Sequence, residues 1–446
     1  MAIRHISFLQ LGDVHYPELK KAPHTADHKD RGISDSIAGA IGTTRIAEIV
    51  RRIGEVRRTE PEMAAILLCG DLTTKGELAG YVDCLKFLSS TFQLNDSSYW
   101  ADKRLVVVPG NHDIDRRAIK PGQEPMSKFS LLTAEWDKVS TATRFLFVDR
   151  PEPIDLPAAN ANGGAGSIRI LPLNTCFMCG EYRRFPERLR ELVGQMLDEL
   201  KRTMDPGEFH LMMSEQVDCP AVDREHVDEL FRQIEQSENE SVSIVLAHHP
   251  LFPQPTPRID SYAELLNAGF VREKILSTKR NVIYLHGHIH QEPVLVVNSP
   301  GKGANRLVHI SAPALEDGFN LIRIFYSSTT DQPLGLELVP YRFGDHLGIE
   351  PKDSIKLRLI DADVLWNEIE YPLYKFILGK LASPNNVLRF QELTRNIPEA
   401  ARGDIDPKDM AQAVKEALVI LELLELVQIT NRDRSEKLWQ CRRTTV

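Results

Sequence analysis

The sequence predicts a layered α/β domain over residues 1–345, followed by a smaller, mainly α-helical domain over 346–446. Three observations lead there. Short runs rich in Val, Ile and Leu recur at 6–11, 63–69, 105–108, 168–173, 242–247 and 282–285, the length and composition of strands buried on both faces. Amphipathic stretches lie between several of them, and strands that alternate with helices stack in layers. Near 344–354, Pro, Gly and charged residues interrupt the strand pattern and mark a boundary.

The elements follow in order. The first run, 6–11, ends in Gly12-Asp13-Val14-His15. A helix is expected over 34–58, where Ile37, Ile41, Ile46, Ile49 and Ile53 recur at roughly helical spacing. The second run ends in Gly70-Asp71-Leu72-Thr73, and the third in Gly110-Asn111-His112-Asp113. Residues 114–166 carry scattered Pro and Gly, and 176–222 leave one strand and return before a helix, so both read as insertions over one rim of the sheet. Helices are expected at 187–202 and 224–236. The fifth run ends in His248-His249-Pro250 and the sixth in His286-Gly287-His288-Ile289-His290. Later runs at 294–297, 307–310, 321–325 and 336–339 lie close together with fewer helices between them, which predicts mixed sheets. In the last domain, helices at 363–381, 388–397 and 406–426 precede a hairpin of 427–430 and 437–440, a winged-helix-like order.

Composition bounds the function. A chain that is 42% hydrophobic and 26% charged is neither disordered nor a disulfide miniprotein. Its net charge of -9 argues against a protein coated in nucleic acid. The six cysteines form no secreted framework, and no run approaches the ~20 apolar residues of a membrane span, so a cytoplasmic protein is expected. Cys176 and Cys179 could form a redox or zinc half-site, but no second CxxC completes it, and ordinary thiols are expected.

Ligands in α/β folds gather beyond the carboxyl ends of the strands, so five polar clusters distant in sequence would meet at one rim. Carboxylates hold divalent cations, and neutral imidazoles suit Mn, Fe, Zn, Ni or Co. Residues two apart on extended backbone share a face, so Asp13 with His15, and His288 with His290, can reach one site. Two metals ~3.5–4 Å apart can deprotonate a shared water and stabilise in-line displacement at phosphorus.

The ordered set GDVH, GDLTTKGE, PGNHD, AHHP and GHIH resembles the calcineurin-like metallophosphoesterases, a binuclear-metal superfamily. The resemblance spans roughly residues 5–340. It implies two mixed sheets packed as a sandwich with flanking helices, and two divalent metal ions. It also implies that Asp13, His15 and His290 bind the first metal, that Asp71 bridges, and that Asn111, His248 and His288 complete the second site. His249 is left as a supporting residue. His112 matches a histidine that contacts a phosphate oxygen and protonates the leaving group, so Asp71, Asn111 and His112 are the expected catalytic set. In many members an Asp that orients this histidine stands where this chain has Thr74, followed by Lys75. Threonine supplies only a neutral hydrogen bond, which leaves Asp113 as an alternative partner for His112.

The substrate is less legible. His24 and His28 follow the first cluster, and Arg183 and Arg184 follow the fourth strand; with Lys75 they are candidate substrate contacts. The expected reaction is hydrolysis of a phosphodiester, a nucleotide or cyclic nucleotide, through attack of a metal-bridging hydroxide. A metal-dependent nuclease that holds DNA on the winged helix is the alternative, and a scaffold with a structural metal site is the third reading. The third helix of the last domain is acidic and apolar, so protein contact or dimerisation is a better expected role for that domain than nucleic-acid binding.

Overall fold

The structure is a computed structural model. It describes residues 3–16, 35–60, 62–74, 76–100, 103–114, 129, 131–132, 145–147, 153–157, 167–179, 186–206, 208–209, 212, 219–236, 242–253, 265–278, 280–290, 294–298, 306–327, 333–344, 348–360, 372–382, 387–403, 405–430 and 439–444. In the first helix, side chains are described from residue 45 onward.

The strands are β1 (Ile3–Leu11), β2 (Met63–Leu68), β3 (Arg104–Val107), β4 (Phe145–Phe147), β5 (Ile154–Pro157) and β6 (Ser167–Pro172). They continue with β7 (Val242–Leu246), β8 (Val282–His286), β9 (Val294–Asn298), β10 (Arg306–Ser311), β11 (Gly318–Ser327) and β12 (Pro333–Phe343). The last are β13 (Ile349–Pro351), β14 (Ile355–Arg358), β15 (Leu388–Arg389), β16 (Val427–Thr430) and β17 (Gln440–Arg443). The helices are α1 (Asp35–Thr59), α2 (Leu78–Phe92), α3 (Glu187–Thr203), α4 (Arg224–Glu235), α5 (Ala268–Ser277), α6 (Pro372–Lys380), α7 (Phe390–Thr394), α8 (Glu399–Arg402) and α9 (Met410–Leu423).

One sheet runs β13-β12-β11-β1-β2-β3-β4, with β14 also on β12; the other runs β5-β6-β7-β8-β10-β9. Strands β1 to β4 are parallel while β11 is antiparallel to β1, and β6, β7, β8 and β10 are parallel between antiparallel edges. Both sheets are therefore mixed, as expected.

Alternation along the strands builds the layers. Ile6 and Phe8 of β1 meet Ile244 and Leu246 of β7 and Leu285 of β8 in the core between the sheets. Leu9 and Leu11 point the other way, onto Ile49 and Ile53 of α1 and Leu85 of α2. Val245 and Tyr284 face Val227 of α4 and Val271 of α5. The order is helix, sheet, sheet, helix, and strands buried on both faces explain the near-continuous apolar runs.

Three details differ from the sequence reading. Within 114–166, β4 and β5 extend the edges of the two sheets. The first sheet also continues past 345, because β13 and β14 both pair with β12. Strand β14 alternates polar and apolar residues, a weaker signal than a continuous run. Finally, 388–397 begins as β15 before turning into α7, and the last strand lies at Gln440–Arg443, three residues beyond the expected start. Strands β15, β17 and β16 form a third sheet.

The carboxyl-terminal helices do not stand apart. Leu373 and Ile377 of α6 and Leu418, Leu421 and Leu423 of α9 share one buried cluster with Phe325 of β11 and Leu334 of β12. Lys356 on β14 bonds Glu422 of α9 at 2.6 Å and lies 3.5 Å from Glu337 on β12. The apolar face of α9, expected as a recognition helix in the nuclease reading, is packed away. No helix among the described residues is long and apolar enough to cross a membrane.

Candidate metal centre

The five polar clusters lie just beyond the carboxyl ends of the parallel strands β1, β2, β3, β7 and β8. Side chains far apart in sequence therefore converge at one rim. His290 Nε2 is 3.1 Å from Asp13 Oδ1, and His15 Nε2 is 3.7 Å from Asp71 Oδ2. His248 Nε2 lies 3.4 Å from Asp71 Oδ2 and 3.0 Å from Asn111 Oδ1. The His288 ring is 5.0 Å from that of His248, and its backbone N–H donates to Asp13 at 3.0 Å. Donor atoms of Asp13, His15 and His290 lie within 4.8 Å of one another, as do those of Asp13, Asp71 and His248.

The chemistry of this donor set fits cations. Asp13, Asp71 and His248 are buried, where the negative charge of two carboxylates is costly to desolvate. His248 Nδ1 donates to the Cys69 carbonyl at 2.7 Å, so in the neutral ring Nε2 presents a lone pair to the oxygens of Asp71 and Asn111. Three acceptors facing one another are stabilised by a cation between them, and a ligand histidine anchored to a carbonyl through its other nitrogen is the usual arrangement. Burial alone would push the Asp13 carboxyl up, but the charge of His290 and its hydrogen bond hold it well below the usual range. His290 shifts the opposite way: burial lowers it, yet Asp13 raises it overall. Burial keeps His288 neutral by pushing it far down, a form ready to bind metal.

The backbone is bent to make this possible. Asp13, His15, Asp71, His288 and His290 all have φ between 45° and 70°, a left-handed conformation uncommon outside glycine, though Asp and His adopt it more readily than most side chains. Gly70, at φ 93°, precedes Asp71, and a Cβ there would come within 2.6 Å of His248 Nδ1. At Gly287 a Cβ would approach Asp13 Oδ2 to 2.6 Å.

His112 is half-buried beside the cluster, its ring 4.9 Å from that of His15 and edge-on to it. Its backbone N–H donates to Asp71 Oδ1 at 2.8 Å. Its Nδ1 is 3.1 Å from the backbone carbonyl of Thr74. The expected hydroxyl bond is not what holds the ring; Thr74 Oγ1 turns instead toward the His15 carbonyl at 3.5 Å. Asp113 does not serve His112 either. Its fully buried carboxylate accepts from the backbone N–H groups of Gly110, Thr73 and Leu72 at 2.9, 2.9 and 3.1 Å. Burial raises it to about 6 even though those bonds pull it down. Asp113 thus ties the loop after β3 to the loop after β2, a role that spacing alone did not indicate.

His249 packs its ring 4.7 Å from His248 and 4.5 Å from His288, with Nδ1 2.9 Å from Thr175 Oγ1. The candidate substrate residues His24, His28, Lys75, Arg183 and Arg184 lie outside the described residues.

Among solved structures, a dimetal phosphatase from Danio rerio aligns over 79% of this chain and 99% of its own, at 12% identity and TM-score 0.47. The calcineurin-like phosphoesterase YfkN from Bacillus subtilis aligns over 79% of this chain and 90% of its own, at 12% identity and TM-score 0.34. Purple acid phosphatase PPD1 from yellow lupin aligns over 81% and 55%, at 10% identity and TM-score 0.38. At these values the likeness is remote. The search of curated proteins finds no match. The family model of the calcineurin-like phosphoesterases, however, matches residues 6–292, which holds all five clusters and more than half of the sequence. The chain belongs to the calcineurin-like phosphoesterases, and it is a metal-dependent hydrolase of phosphoesters.

Proposed function

We propose that this chain hydrolyses a phosphodiester, a nucleotide or cyclic nucleotide in size and chemistry. Asp13, His15 and His290 would hold one metal ion, Asn111, His248 and His288 a second, and Asp71 would serve both. When bound, such a pair supplies Lewis acidity and an activated water. The chain's own side chains then orient the ester and handle the leaving group.

The observation that carries this reading is the bond from His112 Nδ1 to the Thr74 carbonyl at 3.1 Å. It fixes the ring, so that Nε2 bears the proton in the imidazolium form and can pass it to a leaving oxygen. A carbonyl carries no full charge and favours imidazolium less than a carboxylate does. That suits an ester whose leaving group needs little help, such as a strained cyclic diester. The nuclease reading draws no support from α9, whose apolar face is buried.

The test is an assay of the manganese-loaded protein on bis-p-nitrophenyl phosphate, p-nitrophenyl phosphate, cyclic nucleotides and single-stranded DNA. Preference for the diester and turnover of a cyclic nucleotide are expected. A preference for the monoester would overturn the diester assignment, and cleavage of DNA alone would favour the nuclease.

A further inference from the structure

Behind the dimetal cluster lies a second group of donors. Cys176 and Cys179 follow β6, and His249 follows the neighbouring parallel strand β7, so both segments end at the same rim. The Cys179 N–H donates to the Cys176 carbonyl at 3.0 Å, which closes a turn and places the two side chains together. Cys176 Sγ is 3.9 Å from His249 Nδ1, and the three donor atoms lie within 4.8 Å of one another. All three residues are buried.

We propose that Cys176, Cys179 and His249 bind a third metal ion, a thiophilic divalent cation of the zinc type, distinct from the two at the dimetal centre. Four features support it. The donors are two sulfurs and an imidazole, the set that selects zinc over hard cations. The CxxC spacing is that of a zinc knuckle. The distances are close to those required: a tetrahedral site with ordinary Zn–S and Zn–N bonds has sulfur and nitrogen about 3.6 Å apart and the two sulfurs about 3.8 Å apart. Small side-chain rotations close the gap. Lastly, the group is held in place before any ion arrives. The Cys176 N–H donates to Asn174 Oδ1 at 2.9 Å, and Ala221 N–H donates to the Thr175 carbonyl at 3.0 Å. Thr175 Oγ1 accepts the His249 backbone N–H at 3.1 Å, which leaves its own proton for Nδ1 and keeps a lone pair there.

Binding releases the two thiol protons, one from each cysteine, and the metal takes the place of the Thr175 hydroxyl at Nδ1. The fourth position is left to a water or a backbone oxygen. The ion would join three loops. Cys176 Sγ already touches the Pro109 carbonyl at 3.5 Å, two residues before Asn111, and the His249 ring abuts His248 and His288. The site therefore acts as a pin for the residues of the second catalytic metal.

The experiment uses the full chain, purified under a phosphine reductant and loaded with Co(II). The dimetal centre offers only nitrogen and oxygen donors, so a near-ultraviolet thiolate-to-cobalt charge-transfer band reports this site alone. Wild type should show the band and three metal equivalents by mass spectrometry of the metals. The Cys176→Ser/Cys179→Ser variant should lose the band and one equivalent. A wild type with no band and only two equivalents would overturn the proposal, and so would a band that survives in the variant. If the variant does not fold, zinc X-ray absorption of wild type decides. Sulfur neighbours at about 2.3 Å support the site, and their absence overturns it.

Discussion

His112 Nδ1 lies 3.1 Å from the main-chain oxygen of Thr74, so the group that orients the candidate acid is one that every amino acid carries. Replacement of the side chain should therefore matter little. Thr74→Ala is expected to retain kcat/KM for a diester within about threefold, since the Thr74 hydroxyl makes only a long bond to the His15 carbonyl. Thr74→Asp would place a carboxylate near the imidazole and favour its protonated form, which moves the alkaline limb of the pH–rate profile upward. A loss of a hundredfold in Thr74→Ala would show that the hydroxyl, not the carbonyl, is the partner.

Asp71 faces both His15 and His248, and Asn111 meets His248 at 3.0 Å. Asp71→Asn and Asn111→Ala should each lower kcat/KM on the order of a thousandfold, the scale of several kcal/mol of lost metal assistance. Circular dichroism should be unchanged. Rates close to wild type in either variant would remove the dimetal reading.

The absent side chain at residue 287 makes a sharper test. In Gly287→Ala the new methyl would meet Asp13 Oδ2 at 2.6 Å and the Cys69 carbonyl at 3.0 Å, so the carboxylate must turn away. Metal affinity is expected to fall roughly 10–100-fold, measured by titration with a competing chelator. Unchanged affinity would mean that Asp13 has another productive position.

Two buried histidines, His286 and His309, add to the acid sensitivity of the fold. The rings of His286 and His309 are 4.3 Å apart; burial holds His286 down to about 4 and His309 well below its ordinary value. Both are lower in the folded chain than in the unfolded chain, where the value is ~6.5. Below that pH the unfolded chain takes up protons that the folded one refuses. Stability is therefore complete above ~6.5 and declines as pH falls toward the folded values. Urea midpoints of the chelated protein should drop between pH values of about 7.5 and 5. The drop should be shallower in His309→Asn, which keeps an acceptor for the Leu251 N–H now bonded at 3.2 Å.

The last hundred residues should not behave as a detachable module. They bury Phe325 and Leu334 of the first sheet, and β14 pairs with β12. Calorimetry should show one transition, and Leu418→Ala should lower it by about 2–5 kcal/mol of stability. Two transitions, with only the second abolished by removal of α9, would contradict this.

The sandwich core and the rim of donors were legible because both rest on patterns that sequence writes directly. Runs such as 242–247 are apolar on both faces, and each polar cluster begins where such a run ends. The rest was hidden for physical reasons. The bond from His112 to the Thr74 carbonyl uses a backbone acceptor and leaves no mark on the identity of residue 74. Asp113 sits beside a candidate acid, yet its carboxylate turns toward the amides of Gly110, Thr73 and Leu72. Cys176 and Cys179 lie beside His249, which follows another strand, so spacing within one segment does not show the three together.

The left-handed backbone at Asp13, His15, Asp71, His288 and His290 has a further consequence. Each such residue costs of order 1–3 kcal/mol unless its surroundings compensate. Without a cation, drift away from this set should run downhill in folding energy: His15→Gly or Asp71→Asn relaxes strain or charge at the expected cost of most of the activity. Stabilised variants chosen only for heat resistance should therefore accumulate changes at these five positions first. The working protein holds its reactive rim at the expense of its own melting point.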